Sequence, residues 1–159
     1  MLLLSIYIGI DPGKTGAIAF CVHGSYEVLD WDDGNALELL QYLGRRCEGI
    51  GIHAVVEKQQ AFPQQGVSST FKIAHNYGLW CGRLEALEIP YDIVTPLKWK
   101  KEIFDSMPKS ADQKEMARDR ARRLFPQLSD HLKRKKDHGR AEALLICEFC
   151  KRKYSSPKL

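Results

Sequence analysis

LSIYIGIDPGKTGAIAFCV, residues 4–22, decides the fold. Ile6, Ile8 and Ile10 alternate in a run rich in β-formers, which predicts a strand over 4–10 with one face buried. Asp11-Pro12-Gly13 breaks that run, and a second apolar run follows from Thr15 to Val22. Two strands joined by so short a turn make a β-hairpin. The carboxylate of Asp11 then stands where the first strand ends.

Working outward, His23-Gly24-Ser25 is a second turn, and Tyr26–Trp31 reads as a third strand. Between Asn35 and Cys47, Ala36, Leu39, Leu40 and Leu43 fall at helical spacing. Gly49 to Gly51 ends that helix, and Ile52–Glu57 is a short strand that again closes on a carboxylate. A Pro/Gln/Gly loop (61–67) leads into a helix over 68–87, with Phe71, Ala74, Leu79, Leu84 and Leu87 as its apolar positions. Ile89–Thr95 is a further strand. Ser110 and Gln113 have capping-box spacing for a helix ending near Phe125, before Pro126, and Gly139–Lys151 is a final helix. Antiparallel hairpins followed by β-α-β crossovers predict an α/β domain, a mixed sheet flanked by helices. One domain over 1–153 is expected, with 154–159 as a flexible tail.

The bulk chemistry excludes several classes. With 44% hydrophobic and 28% charged residues, the chain has the composition of a folded domain and not of a disordered one. The apolar start is too short to span a bilayer and runs straight into Asp11, so no membrane association is expected. Five cysteines without a secretory signal suit a reducing compartment, and Cys147-x-x-Cys150 reads as two buried small side chains of a helix. The net charge is only +4, from 24 basic and 20 acidic residues. Its distribution is more telling: Lys98, Lys100 and Lys101, then Arg118–Arg123, then Lys133–Lys136, all lie in the C-terminal half. Such clustering suits a polyanion, although Asp112, Glu115 and Asp119 are interleaved with the arginines and offer them a purely internal role.

Three acids carry the chemistry. Asp11 and Glu57 each follow a buried apolar run, so adjacent strands ending at one sheet edge would bring them together. Carboxylates facing each other repel, and such a pair shares a cation or a proton, unless Lys14 and Lys58 simply pair with them. Glu142 sits in the otherwise small and apolar AEALLI (141–146), an awkward place for an unpartnered charge. His138 lies four residues before it, on the same helix face. Asp137 suits the N-cap of that helix. Oxygen donors of this kind suit Mg²⁺ or Mn²⁺, and two ions about 4 Å apart would serve phosphodiester hydrolysis.

YIGIDPGKTGAIA (7–19), VVEKQQAFPQQG (55–66), NYGLWCGRLEAL (76–87), VTPLKWKK (94–101), SADQK (110–114) and DHGRAEALLI (137–146) together resemble the RuvC-type Holliday junction resolvases of the RNase H-like superfamily. The stretch LFPQLSDHLKRKKDHGRAEALLI resembles the phage and chloroplast branch more than the common bacterial enzyme. The resemblance implies an RNase H-like five-stranded sheet with helices on both faces. It makes Asp11, Glu57, His138 and Glu142 catalytic metal ligands, with Asp137 as a further candidate, and Lys114 a catalytic cation. Many members carry Asp where this chain has His138, and the final acid here is Glu; the imidazole makes Mn²⁺ an apt substitute for Mg²⁺. Lys14, Phe62, Lys98, Lys100, Lys133, Lys135, Lys136 and Arg140 would contact DNA. Phe71, Gly78 and Gly82, on the helix over 68–87, would form a homodimer interface.

The expected activity is resolution of four-way junctions by paired symmetric nicks, leaving 5′-phosphate and 3′-hydroxyl ends. The same acids would serve another RNase H-like nuclease acting on branched DNA or RNA–DNA hybrids. A non-catalytic junction-binding protein would be expected to have lost one of them. The expected setting is the cytoplasm or nucleoid of a bacterial or phage-infected cell, or a chloroplast if a presequence has been removed.

Overall fold

The computed structural model describes residues 5–32, 34–46, 49–106 and 112–155. Five strands form one sheet: β1 (Ser5–Asp11), β2 (Ala17–Val22), β3 (Ser25–Asp30), β4 (Gly51–Glu57) and β5 (Tyr91–Val94), in the order β3-β2-β1-β4-β5. β2 is antiparallel to β1 and β3, whereas β4 runs parallel to β1 and β5 parallel to β4. This is the expected mixed sheet of an RNase H-like α/β fold.

Strand alternation sorts the side chains into two cores. Ile6, Ile8 and Ile10 of β1, with Ala54 and Val56 of β4, face α1 (Gly34–Arg46) and α2 (Val67–Ala86), packing on Leu40, Trp80 and Leu84. Tyr7 and Val55 point the other way, into a core built with α3 (Pro96–Ile103), α4 (Gln113–Leu124) and α5 (His138–Ser155). Each fully buried Ile, Phe or Leu contributes about 1.5–3 kcal/mol to this arrangement. Asp11 shares the parity of Tyr7, and Glu57 that of Val55, so both acids belong to the α5 face.

α5 is buried along most of its length, at Ala141, Ala143, Leu144, Leu145, Ile146, Cys147, Phe149 and Cys150. Cys147 and Cys150 are two small buried side chains, as expected, and their thiols donate to the carbonyls of Tyr7 (3.3 Å) and His53 (3.4 Å). The helix lies directly on β1 at Gly9, where a Cβ would stand 2.2 Å from the Cys147 nitrogen and 2.4 Å from the Ala143 oxygen.

Several details correct the sequence reading. α3 is absent from the elements the sequence pattern predicts: three lysines around Trp99 mask its single buried face. Yet Thr95, whose side chain accepts from the Lys98 N–H, and Pro96 at its first turn are ordinary helix-start signals. Two 3-10 segments, Pro126–Leu132 and Lys135–Asp137, precede α5. α4 is capped by Asp112, which accepts from the Lys114 and Glu115 N–H groups; the expected capping residue Ser110, like Cys47, lies outside the described residues. Phe71, expected on the apolar face of its helix, is 73% exposed, because Asn76, Trp80 and Leu84 form the buried face of α2. α5 continues through Tyr154 and Ser155, and the Tyr154 ring stacks on His53 at 4.2 Å.

Gly9→Ala is expected to force β1 and α5 apart and cost about 3 kcal/mol or more in urea denaturation. Gly44→Ala is the control, since its Cβ would meet Leu87 at an ordinary 3.5 Å; it should be neutral or stabilising by up to about 1 kcal/mol. Equal stability of the Gly9 variant and the unaltered chain would contradict the backbone-on-backbone packing.

Candidate active site

Register brings the first two acids together. Ile10 pairs with Val56 across the parallel β1–β4 ladder, so Asp11 and Glu57 follow side by side at the same sheet edge. Both are buried, at 5% and 8% exposure. α5 crosses that face and adds Glu142, whose side chain is 14% exposed. Gly139, one turn earlier, allows the approach, because a Cβ there would lie 2.0 Å from the Thr15 carbonyl oxygen.

The turn that carries Asp11 is held from several sides. The Gly13 N–H donates to Asp11 Oδ1 at 3.0 Å, and the Gly16 N–H to the Gly13 carbonyl at 3.1 Å. Buried Asn76 of α2 donates its amide to the same Gly13 carbonyl at 3.3 Å. Glu57 is held as well: Trp99 Nε1 donates to Oε2 at 2.6 Å and Gln59 Nε2 to Oε1 at 3.3 Å.

Three acids so close strain one another electrostatically. Burial, then the charges of Glu142 and Glu57, push the Asp11 carboxyl well above the usual carboxylate range, against the Gly13 N–H. Burial first and Glu142 second push Glu57 up to about 7, although Trp99, Lys100 and Gln59 pull the other way. Among the described residues the cation paired with this cluster is neither Lys14 nor Lys58 but Lys100, with Nζ 3.8 Å from Glu142 Oε1 and 3.3 Å from Gln113 Oε1. Among the described residues no group of three His, Cys, Asp or Glu side chains is closed to metal-ligand spacing. The donor chemistry still fits a divalent cation: three carboxylates on one face, two of them raised first by burial and then by neighbouring acid charge.

The remaining predicted residues distribute around this centre. His138 lies at the start of α5, with Nε2 3.4 Å from Thr15 Oγ1 and Nδ1 3.3 Å from the Lys135 carbonyl. A carbonyl only accepts, so the Lys135 contact takes the proton of Nδ1, and in the neutral ring that tautomer leaves the Nε2 lone pair as the donor to a metal. Asp137 stands immediately before α5, but its carboxylate turns the other way. It folds back on the preceding 3-10 turn, its Oδ2 accepting from the Arg134 N–H at 2.8 Å and its Oδ1 from the Arg134 guanidinium at 2.8 Å. Burial opposes the Asp137 charge, but those bonds outweigh it and hold the carboxyl below its ordinary value. Arg140 is tied to Asp30 by two bonds of 2.7 Å. Lys14, Lys98, Lys114, Lys135 and Lys136 are exposed, while Lys133 pairs with Asp130 at 2.6 Å. Lys14, Thr15, Trp31, Arg134, Lys136 and Arg140 help line a cavity of about 210 Å³ beside the Asp11 turn.

Phe62 is 58% exposed in the loop after Glu57. Phe71, Gly78 and Gly82 all point outward on α2, with open space over both glycines. The arginine run of α4 is largely internal. Arg118 donates to the Lys133 carbonyl at 2.9 Å and to Glu115, Arg120 to the Ile103 carbonyl at 3.1 Å, and Arg122 to Asp119. Trp99, Gln59 and Asn76 escape sequence reading. Trp99 shares its stretch with lysines that read as phosphate contacts, and nothing local to any of the three signals a partner in another element.

No protein-family profile matches the chain, and no curated protein matches it in sequence. Solved structures do match. T. thermophilus RuvC in complex with Holliday junction substrate superposes with a TM-score of 0.57 at 18% identity, covering 94% of this chain and 97% of that one. A second Thermus thermophilus RuvC structure gives 0.53 at 18%, covering 94% and 95%. The chain therefore has the RuvC-like fold over nearly its whole length.

Proposed function

We propose that this protein is a divalent-metal-dependent endonuclease that resolves four-way DNA junctions as a homodimer. The observation that carries the reading is the convergence of Asp11, Glu57 and Glu142 on the α5 face of the sheet. The fold likeness to a RuvC bound to a Holliday junction supports the substrate class. The finer likeness to phage and chloroplast resolvases rests on the 124–146 stretch of sequence.

Asp11, Glu57 and Glu142 would hold Mg²⁺, two ions per site, with His138 Nε2 as the fourth donor and Mn²⁺ able to substitute. Asp137 is the weaker candidate, because its oxygens are taken by Arg134. The metal would supply Lewis-acid polarisation of the scissile phosphate and a more acidic water to attack it. The chain's own groups do the rest. Lys114 and Lys100 offset charge on the phosphate, and Lys14, Lys98, Lys133, Lys135, Lys136 and Arg140 track the backbone. Phe62 stacks on a base at the junction centre. A two-fold dimer through α2, with Phe71, Gly78 and Gly82 at the contact, would present two sites to two symmetric strands, leaving 5′-phosphate and 3′-hydroxyl ends.

The burial of Glu57 beside Glu142 has a thermodynamic consequence in the absence of metal. Glu57 holds its proton up to about 7 in the folded chain, against an ordinary value of 4.5. Between those values the folded chain keeps a proton that the unfolded chain has lost, so stability falls as pH rises through the window. The metal-free protein should therefore melt lower at about pH 8 than at about pH 6, and Glu57→Gln should flatten that fall. Mg²⁺ should restore the melting temperature of the unaltered chain. Equal slopes for both proteins would contradict the raised Glu57.

Cleavage decides the substrate. A synthetic four-way junction, a linear duplex and an RNA–DNA hybrid would each be incubated with Mg²⁺ or Mn²⁺. Paired symmetric nicks on the junction alone, lost in Asp11→Asn, are expected. Preferential cutting of the hybrid would move the function to RNA removal. Tight junction binding with no cleavage in either metal would leave only a binding protein.

A further inference from the structure

Trp99 is fully buried in the α5-side core, yet its indole N–H leaves that core to meet a carboxylate oxygen. The path is short. Glu57 pairs with Val94 at the end of β5, and Thr95 caps α3 immediately afterwards. One turn into that helix, Trp99 comes back over the strand end and donates to Glu57 Oε2 at 2.6 Å. An indole N–H can only donate, and one buried without an acceptor would cost about 1–3 kcal/mol. A donor this close to a carboxylate makes a short, charge-assisted bond with little angular freedom.

The bond is also selective between the two oxygens. Oε2 is committed to Trp99 at 2.6 Å, whereas Oε1 takes the longer 3.3 Å contact from Gln59. The same ring lies beneath the next residue of α3: Lys100 Nζ stands 5.4 Å from the Trp99 ring centroid and 3.8 Å from Glu142. The indole thus touches Glu57 through a directed hydrogen bond, while the cation over its face is the one paired with Glu142.

We propose that Trp99 is a positioning residue of the active site, whose indole N–H fixes the Glu57 carboxylate so that Oε1 is presented for a divalent cation. This rests on the reading of the three acids as a cation site. Trp99 touches neither cation nor substrate; it acts through Glu57. Partners that orient a metal-binding side chain in this way typically change metal affinity about 10–100-fold when removed.

Two measurements test it. In protein labelled with ¹⁵N at the indoles, the chain's three tryptophans give three side-chain signals. The Trp99 signal should lie downfield, move on Mg²⁺ addition, and shift in Glu57→Gln. Mn²⁺ affinity, read from the electron spin resonance of free Mn²⁺, should weaken about 10-fold in Trp99→Phe. It should not weaken further when Trp99→Phe is added to Glu57→Gln. A role in packing alone would lower the melting temperature in both backgrounds and leave Mn²⁺ affinity untouched. If Trp99→Phe does not fold, the response of the indole signal to Glu57→Gln and to Mg²⁺ decides. Unchanged Mn²⁺ affinity in Trp99→Phe, or an indole signal indifferent to both Glu57→Gln and Mg²⁺, overturns the proposal while leaving the cation site standing. Failure of the unaltered chain to bind Mn²⁺ overturns both.

Discussion

Helix α5 rests on the central strand with almost nothing between the two backbones. At Gly9 the Cys147 nitrogen occupies the space of a side chain, and at Gly139 the Thr15 carbonyl does the same. A helix so seated has little freedom to slide or roll, since any shift trades close contact for a void or a clash. Most other features of the molecule follow from that seating. It buries the apolar length of α5, sets the depth at which α3 and α4 pack, and brings Glu142 over the ends of β1 and β4. A longer side chain at either glycine would lift the helix and separate the third acid from the other two.

The arrangement runs against electrostatics and holds because packing is stronger. Burial first, and the neighbouring carboxylate charge second, raise the proton affinity of Asp11 and Glu57. The chain offsets part of this internally, through Lys100 beside Glu142, Trp99 and Gln59 on Glu57, and the Gly13 N–H on Asp11. None of these supplies the compact double charge that would quiet all three acids at once. A fold that spends its packing energy to hold such a cluster is poised for a cation and for the charged substrate that comes with it.

The sequence makes the frame legible where the signal is local. Alternation of Ile6, Ile8 and Ile10 marks β1, and its parity puts Asp11 opposite to them. Ala54, Val55, Val56 and Glu57 repeat the device on β4, and an acid inside AEALLI stands out because nothing nearby in sequence neutralises it. What stayed hidden depends on partners distant in the chain. Trp99 meets Glu57 across 42 residues, and Asn76 meets Gly13 across 63. Asp137 has a good N-cap position, but Arg134 captures it through both backbone and side chain. Phe71 follows a helical apolar pattern yet faces outward, because Trp80 and Leu84 already fill the groove below α2. The arginines of α4 show the opposite case: the acids interleaved with them were a sufficient clue to their internal pairing.

The central claim is that Asp11, Glu57 and Glu142 form one cation-holding centre because strand register and the seating of α5 bring them together. Crystals soaked in Mn²⁺ and measured at a wavelength where manganese scatters anomalously test it directly. A strong anomalous peak within coordination distance of oxygens from all three residues, lost in crystals of Asp11→Asn, is expected. A peak held elsewhere, such as between Asp30 and Asp137, or no peak at all, would contradict it.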